Sequence, residues 1–401
     1  MGNLASHEEV VVHTQCKNVV ILSTADFDSP VWTNKQHLAV GLAKSGYKVY
    51  YIESLGLRTP TLSKTDIIRM LQYLHRLKPG KGSKQDATRA HPELPPNLEI
   101  ISPKVIPIHG AAFVRAINRF LLKKTTYKRL PADGNYVLWA FSPLTYGLEN
   151  KCQGVVYHSV DLLHTIPGVP AMALQEAEKA LITVADTVLA SSKGVARHLD
   201  SRGAKNIRLW ENVASTELFA SSVGDRKPRA IFAGNVTPSK IDIELLQSLV
   251  RSGVPLAVAG PIGIDGSQTD SEIAALIHAP GVRYLGNLDL PSLAREMGTS
   301  QVGLIPYLKN EYTRGVFPMK VYEYLAAGLS VVSTDIESLT ESAITGLDVV
   351  EARNFADSVR KSLKEFDEEQ AKIRSEQAKS NSWENRIKDA VRLLRAFQPV
   401  S

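Results

Sequence analysis

The sequence predicts an α/β protein built from two Rossmann-like domains that face each other across a cleft. Three observations lead to this fold class. Apolar runs of strand length alternate with helical patterns through both halves of the chain, a polar stretch near residues 214–228 separates the halves, and 401 residues exceed the size of a typical single domain. Ligands of such sheets bind beyond the carboxyl ends of the strands, so we expect the functional site in the cleft.

Each half of the chain shows the strand and helix order of a parallel sheet. The apolar runs of the first half predict strands at 18–23, 48–52, 136–140, 154–158 and 186–190, with helices at 34–45 and 170–184 between them. The second half repeats the alternation, with predicted strands at 229–233, 255–259, 282–285, 301–305 and 329–333.

These elements divide the chain into two domains and a terminal helix. We expect an N-terminal Rossmann-like domain over 1–215 and a C-terminal Rossmann-like domain over 216–380. The last segment, 381–401, has an amphipathic helical spacing and must dock on another surface. We expect it to pack back toward the N-terminal domain.

The composition is that of an ordinary globular protein, with 44% apolar and 22% charged residues. No apolar run approaches the roughly 18 residues of a membrane-spanning helix, and the two cysteines indicate no disulfide framework, so we expect a cytoplasmic protein. The charge is uneven, because residues 51–130 contain 15 Lys and Arg against 5 Asp and Glu, a net +10. This segment favours a membrane surface, a phosphorylated acceptor or nucleic acid as partner; a solvated basic face is the alternative.

The strongest motif is the segment from Gly315 to Gly328, GVFPMKVYEYLAAG, which an apolar strand follows. Pro318 is well placed to open a helix and Gly328 to end it. The N-terminus of such a helix lies near the strand ends, where its free amides and Lys320 form a site for a diphosphate. Glu323, one turn further, could accept hydrogen bonds from a ribose diol. The alternative is an amphipathic helix whose Lys and Glu are surface residues.

This motif resembles the donor-site signature of GT-B glycosyltransferases, particularly those of family four. The resemblance implies that Lys320 contacts the diphosphate of a nucleotide sugar and Glu323 its ribose. The segment FAGNVTPSK, from Phe232 to Lys240, resembles the family's turn after the first strand of the donor domain, with Lys240 on the phosphate-binding lysine. Gly234 in that turn would let the backbone approach the donor.

Other positions match the donor site of the family or depart from it. Asn235 replaces an arginine that the family usually carries, so one phosphate contact is missing here or is supplied elsewhere. Gly315 replaces the first of the two glutamates that retaining members commonly share, and Glu311 could substitute for it only through a rearranged loop. The ends of the next two strands match the family through Gly260, Gly286 and Asn287.

An aspartate follows a strand end in the first half. In the segment VVYHSVD, Asp161 should face the cleft, where it could act as the catalytic base for an acceptor hydroxyl. A helix N-cap is the alternative. The chain is also similar to the xanthan glucuronosyltransferase, in which a similar Asp is the proposed base. The Met-Lys donor helix and Asp-Phe loop of that enzyme resemble Met319-Lys320 and Asp26-Phe27 here, and we expect Asp26 on the acceptor side of the cleft.

The segment from Phe113 to Lys124 predicts a basic amphipathic helix. Ile117, Phe120 and Leu121 fall near one helical face, as in a surface-binding element. A core helix with a solvated basic side is the alternative. Acceptors of this enzyme type are often lipid-linked, which favours membrane docking through the basic residues Arg115, Arg119, Lys123 and Lys124.

We therefore expect a glycosyltransferase that transfers a sugar from a nucleotide diphosphate sugar to a glycan or lipid-linked acceptor, in polysaccharide or glycolipid biosynthesis at the inner face of the plasma membrane. Asp26-Phe27-Asp28 follows the first strand of the N-terminal domain, which is the wrong place for a metal-binding Asp-x-Asp, so we expect no metal. We also expect no cofactor and no nucleic-acid partner. The resemblance further implies that the C-terminal domain binds the nucleotide sugar and the N-terminal domain binds the acceptor. Two alternatives remain. A nucleotide-sugar 2-epimerase of the same fold would act without an acceptor, and a non-catalytic binding subunit would bind the donor without turnover.

Overall fold

The computed structural model describes residues 17–29, 32–59, 94–262 and 271–397. In these ranges the strands of the first half are β1 Asn18–Leu22, β2 Lys48–Ile52, β3 Leu98–Ile101, β4 Val137–Ala140, β5 Gly154–Ser159, β6 Thr187–Ala190 and β7 Ile207–Leu209. The helices of this half are α1 Asn34–Lys44, α2 Ala112–Thr125, α3 Ala171–Val184 and α4 Lys193–Ser201.

The first sheet is parallel throughout, in the order β3-β2-β1-β4-β5-β6-β7. All residues of β4, β5 and β6 are buried because helices cover both faces of the sheet. The strand order reverses between β1 and β4, and this switch point opens a crevice at the carboxyl ends of the strands.

The second half forms a separate parallel sheet in the order β10-β9-β8-β11-β12-β13, with its switch point between β8 and β11. Its strands are β8 Ala230–Ala233, β9 Leu256–Ala259, β10 Val282–Tyr284, β11 Val302–Ile305, β12 Ser330–Thr334 and β13 Leu347–Val350. Its helices are α5 Thr216–Ala220, α6 Ile243–Arg251, α7 Ser271–Ile277, α8 Leu290–Gly298, α9 Glu311–Arg314, α10 Lys320–Ala326, α11 Glu337–Thr340, α12 Phe355–Lys364 and α13 Glu368–Ala378, and the chain ends with α14 Trp383–Arg395.

The buried apolar side chains follow this division. One cluster fills the second domain, and two clusters cover the two faces of the first sheet. Residues of α14 belong to the cluster that α1 forms on the first sheet, so the last helix packs on the N-terminal domain. Trp383 at its start stacks on His37 of α1, with ring centroids 4.5 Å apart.

The chain passes between the two domains in two segments that lie side by side. The amide of Ala214 donates a hydrogen bond of 3.1 Å to the carbonyl of Asn381, and the amide of Trp383 donates one of 3.3 Å to the carbonyl of Ala214. These bonds hold the two segments that cross between the domains in a fixed register. The domain limits given above stay a prediction.

The predicted fold class is confirmed, and every predicted strand is present with ends that differ by at most one residue. The strands β3, β7 and β13 were not predicted, because they are half-exposed edge strands without a continuous apolar run. In the described ranges no helix is long and apolar enough to cross a membrane. Residues 60–93 of the basic segment lie outside the described residues.

Candidate functional site

The loops after β8, β9 and β10 form the side of the cleft that belongs to the C-terminal domain. The amide of Gly234 donates a hydrogen bond of 2.9 Å to the carbonyl of the last residue of β9. The amide of Gly260 donates one of 2.7 Å to the carbonyl of Gly286. Gly260 has a φ of +138°, and a Cβ there would lie 2.0 Å from the carbonyl oxygen of Gly234, so only glycine fits. Asn235 and Asn287 are exposed at these strand ends.

Lys240 ends the loop after β8 and packs against the loop after β11. Its ammonium lies over the ring of Tyr307, 4.4 Å from the centroid, and its carbonyl accepts a hydrogen bond of 2.9 Å from the amide of Leu308. Burial disfavours the ammonium, but the phenol oxygens of Tyr307 and Tyr312 and the carboxylate of Asp161 outweigh burial and raise the pKa of Lys240. The switch point thus holds a cation that is suited to bind an anion.

Lys320 and Glu323 form an ion pair on the first turn of α10. The Glu323 side chain is 6% exposed and that of Lys320 23% exposed, so a ligand would reach the ammonium first. Pro318 is buried and Met319 half-buried ahead of the pair. The binding of a diphosphate by Lys320, Lys240 and the N-terminus of the seven-residue helix α10 stays a prediction.

Tyr324 fixes α10 against the strand ends. Its hydroxyl accepts a hydrogen bond of 2.8 Å from the amide of Ala233, and its ring covers Gly303, where an added Cβ would lie 2.3 Å from the ring. The sequence analysis missed this residue. The available signal was Gly303, since glycine inside a buried strand often marks a close approach of another group.

Asp161 follows β5, on the side of the cleft that belongs to the N-terminal domain. The short 3-10 turn after it, Leu163–Thr165, has no side-chain cap, so the N-cap alternative does not apply to this turn. The Asp161 carboxylate interacts electrostatically with Lys35 of its own domain and with Lys240 of the other domain. The fold thus brings a predicted acid and a predicted cation, 79 residues apart, to opposite sides of one cleft.

Lys35 of α1 is a buried cation that the sequence analysis did not identify. It is 8% exposed, and its ammonium lies over the ring of Phe141, 5.5 Å from the centroid. Burial lowers the pKa of Lys35, and the negative charge of Asp161 opposes this shift. A lysine at the start of a helix usually extends into solvent, so the local sequence carried no signal for this burial.

Asp26 lies just beyond β1, at the switch point of the first sheet, and is half-buried. Its carbonyl accepts a hydrogen bond of 3.0 Å from the Gln36 amide group. Burial, with a contribution from the Asp26 carboxylate, raises the pKa of the Tyr51 phenol. Asp28 is exposed. Across the part of the chain that the structure describes, no three His, Cys, Asp or Glu side chains are placed to hold a metal ion, and metal independence stays a prediction.

The helix α2 carries exposed apolar side chains on one face. Phe113 is 71% exposed and Phe120 is 60% exposed, with Ile117 between them. The face that packs on the domain consists of Val114, Asn118 and Leu122. Leu121, which the sequence places near the same face, is half-buried at its edge.

The basic residues of α2 lie beside this exposed face. Arg115 donates hydrogen bonds of 3.0 and 2.8 Å to the carbonyls of His109 and Gly110. With Arg119 it lines a cavity of about 200 Å³ between α2 and α3. Lys123 and Lys124 are exposed at the last turn of the helix.

Comparison with known proteins finds a family match within the second half of the chain and a fold shared over nearly the whole chain. Residues 227–365 match the model of the family described as "Glycosyl transferases group 1". TuaH of Bacillus subtilis (strain 168), named as a teichuronic acid biosynthesis glycosyltransferase, is 27% identical over 183 residues, which are 42% of this chain and 45% of TuaH. The match thus spans less than half the length of this relative.

Two solved structures have the same fold over nearly the whole chain. Sucrose-phosphate synthase from Thermosynechococcus elongatus superposes with a TM-score of 0.67 at 15% identity, over 95% of this chain and 98% of that one. HepE of Anabaena in complex with UDP-glucose superposes with a TM-score of 0.58 at 13% identity, over 94% and 99% of the two chains. At these identities the likeness shows the fold. The finer likeness to the xanthan glucuronosyltransferase stays a prediction.

Proposed function

We propose that this chain, which has the GT-B fold and a group 1 glycosyl transferase domain over residues 227–365, is a glycosyltransferase. It would move a sugar from a nucleotide diphosphate donor to a hydroxyl of a glycan or lipid-linked acceptor. One observation carries this proposal: the fold brings the loop of Asp161 against the segment that leads into Lys320 and Glu323. A Cβ on Gly315 of that segment would lie 2.7 Å from Leu162, the residue after Asp161, and the Asp161 carboxylate interacts electrostatically with Lys240.

The donor is proposed to bind to the C-terminal domain. Lys240 and Lys320 offer two positive charges to a diphosphate, and Gly234 allows the backbone to approach it. When the diphosphate takes the ammonium of Lys320, the Glu323 carboxylate becomes free to accept hydrogen bonds from the ribose. HepE, solved with UDP-glucose, supports this class of donor.

In the proposed reaction, an acceptor hydroxyl oxygen forms a bond to the anomeric carbon, and the bond from that carbon to the diphosphate breaks. Asp161 accepts the hydroxyl proton as general base, and the nucleoside diphosphate leaves with the bonding electron pair. Lys240 and Lys320 stabilise the negative charge that develops on the diphosphate. Such preorganised stabilisation in a cleft that excludes water is usually the largest catalytic contribution. Asp26 is proposed to line the acceptor side.

The helix α2 is proposed to dock the enzyme on an anionic bilayer at the inner face of the plasma membrane. Phe113, Ile117 and Phe120 form an exposed apolar face that can enter the bilayer interface, and the basic side chains beside it can contact anionic headgroups. TuaH, by its name, acts in the synthesis of a glycan, and this supports a glycan acceptor. The docking residues are Arg115, Arg119, Lys123 and Lys124.

A panel of uridine, guanosine and adenosine diphosphate sugars tests the donor assignment. A ligand that binds only the folded state raises its stability, by about 2.7 kcal/mol at a concentration of 100 Kd. We expect one base to stabilise the protein against heat and the others not to. The stabilising donor is then incubated with membrane extracts, and transfer of its labelled sugar to a larger product is measured.

Each alternative function has its own result in this assay. Isomerisation of the free nucleotide sugar without an acceptor would identify an epimerase. Binding without transfer, isomerisation or hydrolysis would identify a non-catalytic subunit. Absence of stabilisation by every nucleotide sugar would contradict the donor site itself.

A further inference from the structure

The loop before α10 accepts hydrogen bonds from side chains of the other domain. The hydroxyl of Ser192 donates a hydrogen bond of 3.0 Å to the carbonyl of Gly315, and the Asn212 side-chain amide donates one of 2.8 Å to the carbonyl of Phe317. The Asn212 amide oxygen in turn accepts a bond of 2.6 Å from the side chain of Asn34, the first residue of α1. Asn212 is 8% exposed, so these bonds are largely shielded from bulk solvent.

The backbones of the two domains also approach closely at this loop. A Cβ on Gly315 would lie 2.7 Å from Cγ of Leu162, and a Cβ on Gly194 would lie 2.4 Å from the carbonyl oxygen of Arg314. Leu162 directly follows Asp161 in the chain. The surface that contacts the 315–317 loop therefore belongs to the same strand-end loop as the proposed base.

We propose that Asn212 is a positioning residue that sets the distance between Asp161 and the donor. Asn212 belongs to the segment that crosses between the domains, and the backbone of this segment is held on the first sheet by a bond of 2.7 Å from the amide of Trp210 to the carbonyl of Ala190. The bond from Asn212 to Phe317 therefore links the 315–317 loop to the N-terminal domain without requiring the bond to α1. The loop leads directly into Pro318, Met319 and Lys320. The bond to Phe317 thus holds the side of the cleft that carries Asp161 at a fixed position relative to the side that carries Lys320. This inference rests on the proposed transferase function.

The position of α10 itself does not depend on Asn212. Val321, Tyr324 and Leu325 are buried in the core of the second domain, and the Tyr324 hydroxyl is bonded to β8. Loss of the bond from Asn212 should therefore leave the diphosphate site intact but weaken the contact between the 315–317 loop and the N-terminal domain, so that Asp161 can shift relative to the donor. A displacement of about 1 Å between reacting groups can lower a rate by about 10²-fold.

The test compares Asn212→Asp with Asn34→Ala. Asn212→Asp keeps an oxygen that can accept the bond from Asn34 but places a carboxylate against the Phe317 carbonyl. Asn34→Ala removes the bond to α1 and leaves the bond to Phe317, so it is the matched control. For Asn212→Asp we expect kcat to fall about 10- to 100-fold, with the Kd for the nucleoside diphosphate within about threefold of the wild type. For Asn34→Ala we expect a change in kcat below about threefold.

Hydrogen exchange gives a readout that does not depend on turnover. The amides of Gly315, Val316 and Phe317 should exchange faster in Asn212→Asp than in Asn34→Ala. If Asn212→Asp does not fold, Gly315→Ala provides a second variant, because its methyl group must displace Leu162 and should reproduce the loss of kcat at unchanged nucleotide affinity.

Three results would overturn the proposal. Wild-type turnover in Asn212→Asp would make the contact passive, and a fall in nucleotide affinity equal to the fall in kcat would place Asn212 in the donor site. Unchanged exchange of the loop amides would show that the bond does not hold the loop. An inactive wild type with every donor would instead refute the transferase function, while the exchange data would still report on the contact.

Discussion

Replacing Lys320 with alanine should weaken nucleoside diphosphate binding about 10- to 150-fold, because a hydrogen bond to a charged group contributes about 1.5–3 kcal/mol. The structure adds a second effect. Lys320 neutralises Glu323, whose side chain is only 6% exposed. In Lys320→Ala that buried carboxylate stays without its partner and faces the incoming diphosphate, so repulsion increases the loss.

The same geometry predicts a loss of stability. A buried polar group left unsatisfied costs about 1–3 kcal/mol, and a charged one costs more. Lys320→Ala should therefore lower the free energy of unfolding by at least about this amount, and Glu323→Gln in the same chain should restore most of it. In the double variant no buried charge remains, and the amide oxygen introduced by Glu323→Gln can still accept a hydrogen bond from the ribose. The remaining loss of affinity therefore reports mainly on the contact between Lys320 and the diphosphate.

Calorimetric titration with the stabilising nucleoside diphosphate measures the affinity, and chemical denaturation measures the stability. Lys372→Ala is the matched control, because Lys372 forms a Lys–Glu pair with the same spacing in which both side chains are more than 70% exposed. An exposed pair contributes about 0–1 kcal/mol, so we expect little change in either measurement.

Wild-type nucleotide affinity in Lys320→Ala, with a normal response in the control, would refute the assignment of α10 to the donor site. Weakened binding that Glu323→Gln fully restores would show that Lys320 acts only by neutralising Glu323. In both cases Lys240 would remain as the cation of the site.

Three further predictions concern the other parts of the molecule. Asp161→Asn should lower turnover about 10²- to 10⁴-fold and leave calorimetric nucleotide affinity unchanged; near-normal turnover would make Asp161 structural. The protein should sediment with anionic but not neutral vesicles and be released by high salt, since each basic residue contributes about 1 kcal/mol at an anionic surface. Glutamates at Arg115, Arg119, Lys123 and Lys124 should abolish this binding without changing nucleotide affinity. Burial against Trp383 lowers the pKa of His37 to about 4. Below pH 6.5 the unfolded state therefore binds more protons than the folded state. The free energy of unfolding should fall by on the order of 3 kcal/mol as the pH approaches 4. Urea unfolding at several pH values measures this loss, and His37→Phe should remove it.

Much of the fold was predictable because its signals are local. A central strand of a parallel sheet is buried on both faces and appears as a continuous apolar run, as in Val137–Ala140. The edge strand Ile207–Leu209 is half-exposed, and its composition does not distinguish it from a loop. Pairing with β6 makes this segment a strand, and that pairing is not encoded in neighbouring residues.

The donor-side residues were also accessible from the sequence. Lys320 and Glu323 lie within one helical turn, and Lys240 lies in a short loop after a strand, so the chemistry of each motif is visible in a few consecutive residues. Lys35 carried no such signal. Its burial depends on the ring of Phe141, 106 residues further along the chain, and on the carboxylate of Asp161.

The sequence by itself predicts two parallel sheets, with a helix that carries Lys320 and Glu323 at the strand ends of one sheet and Asp161 at a strand end of the other. These features are predictable because covalent connectivity and the periods of helix and strand set the local patterns. The electrostatic interaction of Asp161 with Lys240, the bond from Asn212 to Phe317 and the exposure of Phe113 follow from the way the domains and helices pack. Packing joins groups far apart in the chain through many weak contacts, and no local pattern specifies which of those contacts form.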